Sequence, residues 1–387
     1  MKKIYCDISA TTPVNEKVID LMSSIQGNVF GNPSSVHKYG QESHVIIEKA
    51  RIETAKALNC HQEEIIFTAS GTEANNIALE GIVDSNHHII STTYEHPSVM
   101  NVIKNLEKKG ASLTLLKPTK DGKVDPKIIE NEISENTKVI TVMFANNELG
   151  SINNIKEISK ITQKHNIILH VDAVQCVGKI PIDLNELKID MMSLSAHKFY
   201  GPKGVGALFI RKGINLKTIL NGGGQELNLR PGTENIAGIA GLGLAISLAY
   251  DHIKENISYV KKLEQLFIKE LDNYKINYIL HIKDRLPGVL AIGFPGIDGQ
   301  SLLISLDLKG IAVSFGSACS SGTTKASQIL LDAGINENLA KSTLRISFGK
   351  IHTEDDVKYV AEQLSITLKR LGKKTYFGDD LGLDDFA

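Results

Sequence analysis

A surplus of charge of either sign is missing from this sequence: Lys+Arg 43 against Asp+Glu 44 leave a formal −1. That balance gives no electrostatic case for direct binding of nucleic acid or of an anionic membrane. No apolar run is long enough to span a bilayer, and the opening stretch MKKIYCDISATTP carries lysines without an apolar h-region. Cysteine is scarce. Cys6, Cys60, Cys176 and Cys319 form no CxxC pair and no zinc-ligand spacing, so a reduced, cytoplasmic setting is expected and no metal site in the chain itself. Nucleotide fingerprints are absent too. GPKGVG and GLGLA lack the G-x-G-x-x-G spacing, and neither G-x-x-x-x-G-K-[ST] nor H-E-x-x-H occurs. These absences argue against a dehydrogenase, an NTPase and a metallohydrolase.

What is present is an alternation. With 387 residues the chain is too long for one simple core, so two domains are expected. From about residue 60 to 212, short apolar runs such as EIIFTAS, HHIISTTY, KVITVMFA and IILHVDA alternate with helix-like periods. That density predicts an α/β fold with a mainly parallel sheet covered on both faces. In such sheets ligands sit at the carboxyl ends of the strands. The polar clusters fall there: SGTE at 70–73, YEH at 94–96, NNE at 146–148, DAVQ at 172–175 and SAHK at 195–198. A long helical stretch is expected to about Tyr274 with a hinge near Val260, followed by a smaller α+β pattern. The expected division is 15–260 for the large domain and 1–14 with 261–374 for the small one. A flexible acidic tail is expected over 375–387.

Three motifs carry chemistry. In FTASGTEANN a strand stops at Thr68 and a helix opens at Thr72–Glu73. Its N-terminus favours a phosphate, though the motif taken alone reads first as a plain capping turn by Ser70 or Thr72 with Glu73. Asp172 ends a run of buried-strand character, where a carboxylate needs a partner to stay charged. Its bland reading is a structural salt bridge. Lys198 ends another strand of the same sheet, beside Ser195 and His197. A lysine is rarely buried alone, so it is either a solvated stem or an amine meant to lose its proton. Together these form a phosphate nest, an acid, histidines and a lysine on one sheet edge. Pyridoxal phosphate requires that set.

In order along the chain come CDISATTP, GNPSSVHKYG, FTASGTEANN, YEHPSV, NNELG, HVDAVQ, SLSAHKFYGPKGVG, GGGQE, RPGTEN, GSACSSG and LRISFG. The sequence thereby resembles the NifS/IscS-type cysteine desulfurases of the class-V aminotransferase group, almost end to end. The resemblance implies an aspartate-aminotransferase-like PLP-dependent transferase fold. It implies pyridoxal 5'-phosphate held as a covalent aldimine on Lys198, with His96 stacked on the ring, Asp172 at its nitrogen and Gln175 at its phenolic oxygen. Gly71, Thr72, Ser195 and His197 would hold the phosphate, joined by Thr233 from the partner subunit of a homodimer. Asn147 and Arg345 would receive the substrate carboxylate.

Cys319 sits among Gly316, Ser317, Ala318, Ser320, Ser321 and Gly322, which offer little side chain for anchoring. The usual reading of a lone cysteine, a small buried apolar residue, suits Cys6, Cys60 and Cys176 better. By the resemblance, Cys319 takes the sulfur of L-cysteine as a persulfide, leaving L-alanine. It then passes the sulfur to an iron–sulfur scaffold protein or a tRNA-thiolation acceptor. A [2Fe–2S] contact through Cys319 with a scaffold partner is a further implication. A selenocysteine lyase, another class-V PLP enzyme and a non-catalytic scaffold remain as alternatives. Ile8, Pro231 and Phe315 depart from the family's usual pattern. Asp379, Asp380, Asp384 and Asp385, interleaved with apolar residues, make the tail either a solubilising end or an acceptor-docking motif.

Overall fold

The computed structural model of the chain describes residues 2–315 and 326–378, with side chains described as far as residue 372. A short strand β1 (Ile4–Tyr5) opens it. The large sheet follows, built from β2 (Ile65–Thr68), β3 (His88–Thr92), β4 (Ser112–Leu116), β5 (Thr137–Met143), β6 (Ile168–Asp172), β7 (Met191–Ser195) and β8 (Gly206–Ile210). In space these seven strands run β2-β8-β7-β6-β5-β3-β4. β8 is antiparallel to both of its neighbours, so β2 still points the same way as β7 and the other parallel strands. Every strand that leads into a polar cluster therefore ends on one edge.

Alternation along each strand sends side chains to two different helical layers. Ile65 and Phe67 pack in a core with Ile47 and Ala50 of α2 (Lys38–Leu58). The helix Ile236–Asp251 joins the same core through Ile239, Leu242, Ala245 and Ile246. Ile66 packs on the other face, with Ala74, Ile77 and Ala78 of α3 (Gly71–Ile82). Next to it α4 (Pro97–Lys108) buries Val99, Val102, Ile103 and Leu106. With both faces covered, even polar strand residues must be satisfied internally. His170 on β6 does this by bonding Thr141 Oγ1 at 2.8 Å and Ser193 Oγ at 3.1 Å, spanning three strands. Burial pushes its imidazole down to about 3, so it sits there neutral.

The smaller sheet has the order β12-β13-β10-β9, all antiparallel, from β9 (Ile279–Leu280), β10 (Val289–Gly293), β12 (Ser314–Phe315) and β13 (Thr343–Ser347). β11 (Ile311–Ala312) pairs in parallel with β1, which brings the N-terminal segment to this part of the molecule. Ile4 and Cys6 share its core with Leu290, Ile292, Leu344 and Ile346.

Two expectations are corrected. The helical stretch up to Tyr274 is two helices, Ile236–Asp251 and Ile253–Asn273, bent by 72° at His252. The first is apolar on all sides, and a Cβ at Gly243 would meet the Ala50 Cα at 2.6 Å. The second is amphipathic and commits Leu263, Phe267 and Leu271 to the small core. One straight rod could not serve both, so the chain leaves helical geometry at His252 (φ −124°, ψ 24°). The last helix, Glu354–Gly378, runs beyond residue 374, so residues 375–378 are helical rather than part of a tail. Residues 379–387 lie outside the described residues.

Candidate active site

The strand ends open onto a cavity of about 430 Å³, lined among others by Thr72, His96, Asp172, Gln175, Lys198 and Arg345. Gly71, Asn147, Ser195 and His197 line it as well. β7 delivers Ser195, and one turn of 3-10 helix, Ala196–Lys198, swings Lys198 into the opening. Its Nζ donates to the carbonyls of Ser9 and Ala10, each at 2.8 Å. The N-terminal segment thus holds the lysine in place.

Asp172 ends β6 and is buried. Its Oδ2 accepts from Asn75 Nδ2 at 2.9 Å and its Oδ1 from the Val174 amide at 3.0 Å. These bonds fix the carboxylate plane without neutralising it, which is not the structural salt bridge of the bland reading. Asn75 also donates to Ser98 Oγ at 2.9 Å, and Ser98 Oγ lies 2.7 Å from His96 Nδ1. His96 caps α4, its Nδ1 accepting the Ser98 amide proton at 3.1 Å. Nδ1 is therefore an acceptor, and the neutral ring carries its proton on Nε2. Burial lowers the pKa of His96, with Lys198 adding to the shift and Asp172 opposing it. His197 is pushed down to about 4, by burial first and then by Lys198, Lys203 and Lys179.

The capping reading of the SGTE turn is the one the structure shows. Ser70 caps α3 by accepting the Glu73 amide, and Glu73 is engaged by the Ala69 amide and Arg230. Thr72 remains at the cavity with the helix N-terminus behind it. A Cβ at Gly71 would lie 2.7 Å from Val174 Cγ2, so only glycine fits between the two loops. Arg345, on β13, donates to the Asn147 carbonyl at 2.7 Å, Asp7 Oδ1 at 2.7 Å and Ser314 Oγ at 3.0 Å. Its Nε is buried and has no partner among the described residues.

The donor set fits pyridoxal phosphate: a helix start with Thr72, Ser195 and His197 for the phosphate, an oriented carboxylate, and a lysine between them. Thr233 is exposed and does not line the cavity of its own chain. Cys319 lies outside the described residues. Ser327, which follows that stretch, lines the cavity and donates to Glu148 Oε2 at 2.5 Å.

Several lining groups had no role in the sequence reading. Ser9 and Ala10 act through backbone carbonyls, which leave no residue signature. Glu95 stands beside His96, fully enclosed, its Oε1 taken by Thr92 and the Met143 amide and its Oε2 without a partner among the described residues. Burial pushes its carboxyl up to about 8, with Asp172 adding to the rise against the two hydrogen bonds. Asn75 had one available signal, its position one helical turn after Gly71 on the cavity side of α3. The other three cysteines are structural in character. Cys6 and Cys176 are buried and Cys60 is partly so, and burial pushes all three thiols up, Cys60 to about 12.

Residues 4–360 match the family model described as aminotransferase class-V. A curated relative named cysteine desulfurase IscS, from Dictyoglomus turgidum, is 41% identical over 376 residues, 96% of this chain and 95% of that protein. A protein of the same name from Methanosarcina thermophila is 41% identical over 375 residues, covering 96% and 93%. Among solved structures, a NifS-like protein superposes with a TM-score of 0.90 at 34% identity, covering 96% of this chain and 100% of that one. The structure titled "SspA in complex with cysteine" gives a TM-score of 0.81 at 32% identity, covering 90% and 99%. The chain belongs to the class-V aminotransferases and, within them, to the cysteine desulfurases.

Proposed function

We propose that the chain removes sulfur from L-cysteine with pyridoxal phosphate bound at Lys198, giving L-alanine and a persulfide on Cys319. The observation that carries this is the meeting of Lys198, Asp172, His96 and Gln175 around one cavity. When bound, the cofactor supplies an electron sink for the substrate's Cα carbanion. Asp172 keeps a proton on the ring nitrogen, and Gln175 faces the phenolic oxygen. Gly71, Thr72, Ser195 and His197 receive the phosphate, the last as a neutral imidazole. Arg345 takes the substrate carboxylate and Asn147 assists. His96, with its proton on Nε2, would supply a movable proton to the bound substrate. The Cys319 thiolate attacks the substrate sulfur: an S–S bond forms, the substrate C–S bond breaks, and the carbon keeps the electron pair that a proton then fills to give alanine.

A homodimer completes this reading. Phe30, Val36, Tyr39 and Val45 leave apolar side chains open to solvent along one stretch of chain, and Leu227 does so nearby in the loop that leads to Thr233. Thr233 would then reach the neighbour's phosphate. Free thiols at Cys6, Cys60 and Cys176 support a reducing, cytoplasmic setting. The persulfide would go to a scaffold protein for iron–sulfur cluster assembly or to a tRNA-thiolation acceptor. Lys198→Ala tests the core of the reading. It should lose the visible absorption of the bound cofactor and form no alanine, and undiminished alanine formation would overturn the assignment.

A further inference from the structure

Lys179 has no place among the roles above, yet it reaches the site from behind. It lies in the turn after β6, and its Nζ donates to Gln175 Oε1 over 3.0 Å. Gln175 Nε2 in turn donates to the Ser9 carbonyl over 2.9 Å. The same carbonyl accepts from Lys198 Nζ at 2.8 Å. A single peptide oxygen therefore joins two arms, one from the lysine at the cavity and one from the lysine behind it.

An ammonium has three donors and no acceptor. While protonated, Lys179 can therefore face only the oxygen of the Gln175 amide, because the flipped amide would set NH2 against NH3⁺. With Oε1 taken and one Nε2 hydrogen given to Ser9, the second Nε2 hydrogen is what Gln175 has left for the cavity it lines. Without Lys179, the Ser9 carbonyl alone would hold the amide in this orientation.

We propose that Lys179 is a positioning residue that locks Gln175 as a hydrogen-bond donor toward the phenolic oxygen of the cofactor. Its charge also biases the proton shared between that oxygen and the Lys198-linked nitrogen. This rests on the reading of Lys198 as the cofactor lysine. A lysine is a costly choice for packing here. Burial pushes its amine down to about 7, with Lys198 and Arg345 pressing the same way and Cys176 opposing. Lys350 lines the crevice that Lys179 shares with Ile8 and Tyr200. A donor on the phenolic oxygen favours the form in which that oxygen is a bare anion, and so does a nearby cation. Both effects pull the proton off the Lys198-linked nitrogen at lower pH.

The test uses the purified, cofactor-loaded enzyme and reads the pH midpoint of its visible absorption band. Lys179→Met should raise that midpoint by about one unit. Lys179→Arg, which keeps charge and donors, should restore it. Gln175→Leu should raise it too, and the double variant should rise by less than the sum of the two single changes, because the positioning part is common to both. Lys179→Leu offers the same measurement should the methionine variant not fold. An unchanged midpoint in these variants, even with a lowered melting temperature, would make Lys179 a packing residue and overturn the proposal. A wild-type protein with no visible band would instead overturn the cofactor reading beneath it.

Discussion

Asn75 Nδ2 donates to Asp172 Oδ2 across 2.9 Å, binding the first turns of α3 to the end of β6 although the two residues stand 97 positions apart. The same amide reaches Ser98 and, through it, His96 Nδ1. One side chain thus ties the carboxylate to the serine that meets the histidine ring. Asn75→Ala should weaken retention of pyridoxal phosphate by about tenfold or more, because a hydrogen bond to a charged group is worth roughly 1.5–3 kcal/mol. Dialysis followed by absorbance measures this, and retention equal to wild type would make the contact incidental.

Arg345 depends on Asp7 in a comparable way. The pair is 2.7 Å apart with side chains 5% and 15% exposed, and breaking a buried pair costs about 3 kcal/mol or more. Asp7→Asn should lower the melting temperature and raise KM for cysteine more than it lowers kcat. A kcat loss at unchanged KM would show that the guanidinium does not hold the substrate.

Glu95 predicts a pH dependence. Its carboxyl titrates near 8 when folded, well above its ordinary value of 4.5. Between those values the folded state holds a proton that the unfolded chain releases, so stability falls as pH rises. Burial also raises the Glu148 carboxyl, which acts in the same sense. Glu95 should therefore contribute a fall approaching about 1.4 kcal/mol per unit between pH 5 and 8, set against the rise that His170 and His197, held neutral in the fold, contribute up to about pH 6.5. Glu95→Gln should flatten that fall, as denaturant melts at each pH would record. An identical slope in the variant would mean that Glu95 is ionised in the fold.

Thr233 tests the subunit arrangement. Mixing Lys198→Ala with Thr233→Ala subunits should produce hybrid dimers in which one site carries both lesions and the other carries neither. Activity should then return to a fraction of wild type, by alanine formation after subunit exchange. No recovery at any mixing ratio would place Thr233 outside the partner's site.

The parts of this site that were legible in the sequence share a physical signature. Asp172 and Lys198 are charges at the ends of apolar runs, and burial makes such positions costly enough to be conspicuous. The parallel sheet then brings them to one edge whatever the loops do. The missed groups carry no such mark. Ser9 and Ala10 work through peptide carbonyls, and Asn75 through a contact between distant segments. Lys179 sits in a turn, where no period assigns it a face. The break at His252 was hidden because the apolar pattern before it and the amphipathic one after it are both helical, with neither proline nor glycine between them. β8 reads like its parallel neighbours because strand direction leaves no trace in an all-buried run.

The central claim is that the sulfur of cysteine moves to Cys319. Enzyme loaded with cofactor, freed of reductant and given one equivalent of L-cysteine is quenched and digested, and its peptides are weighed. The account predicts one added sulfur atom on the peptide holding Cys319, matched by one alanine released per active site. Added sulfur on the peptides of Cys6, Cys60 or Cys176 with none on that of Cys319, or alanine released while no peptide gains sulfur, would contradict it.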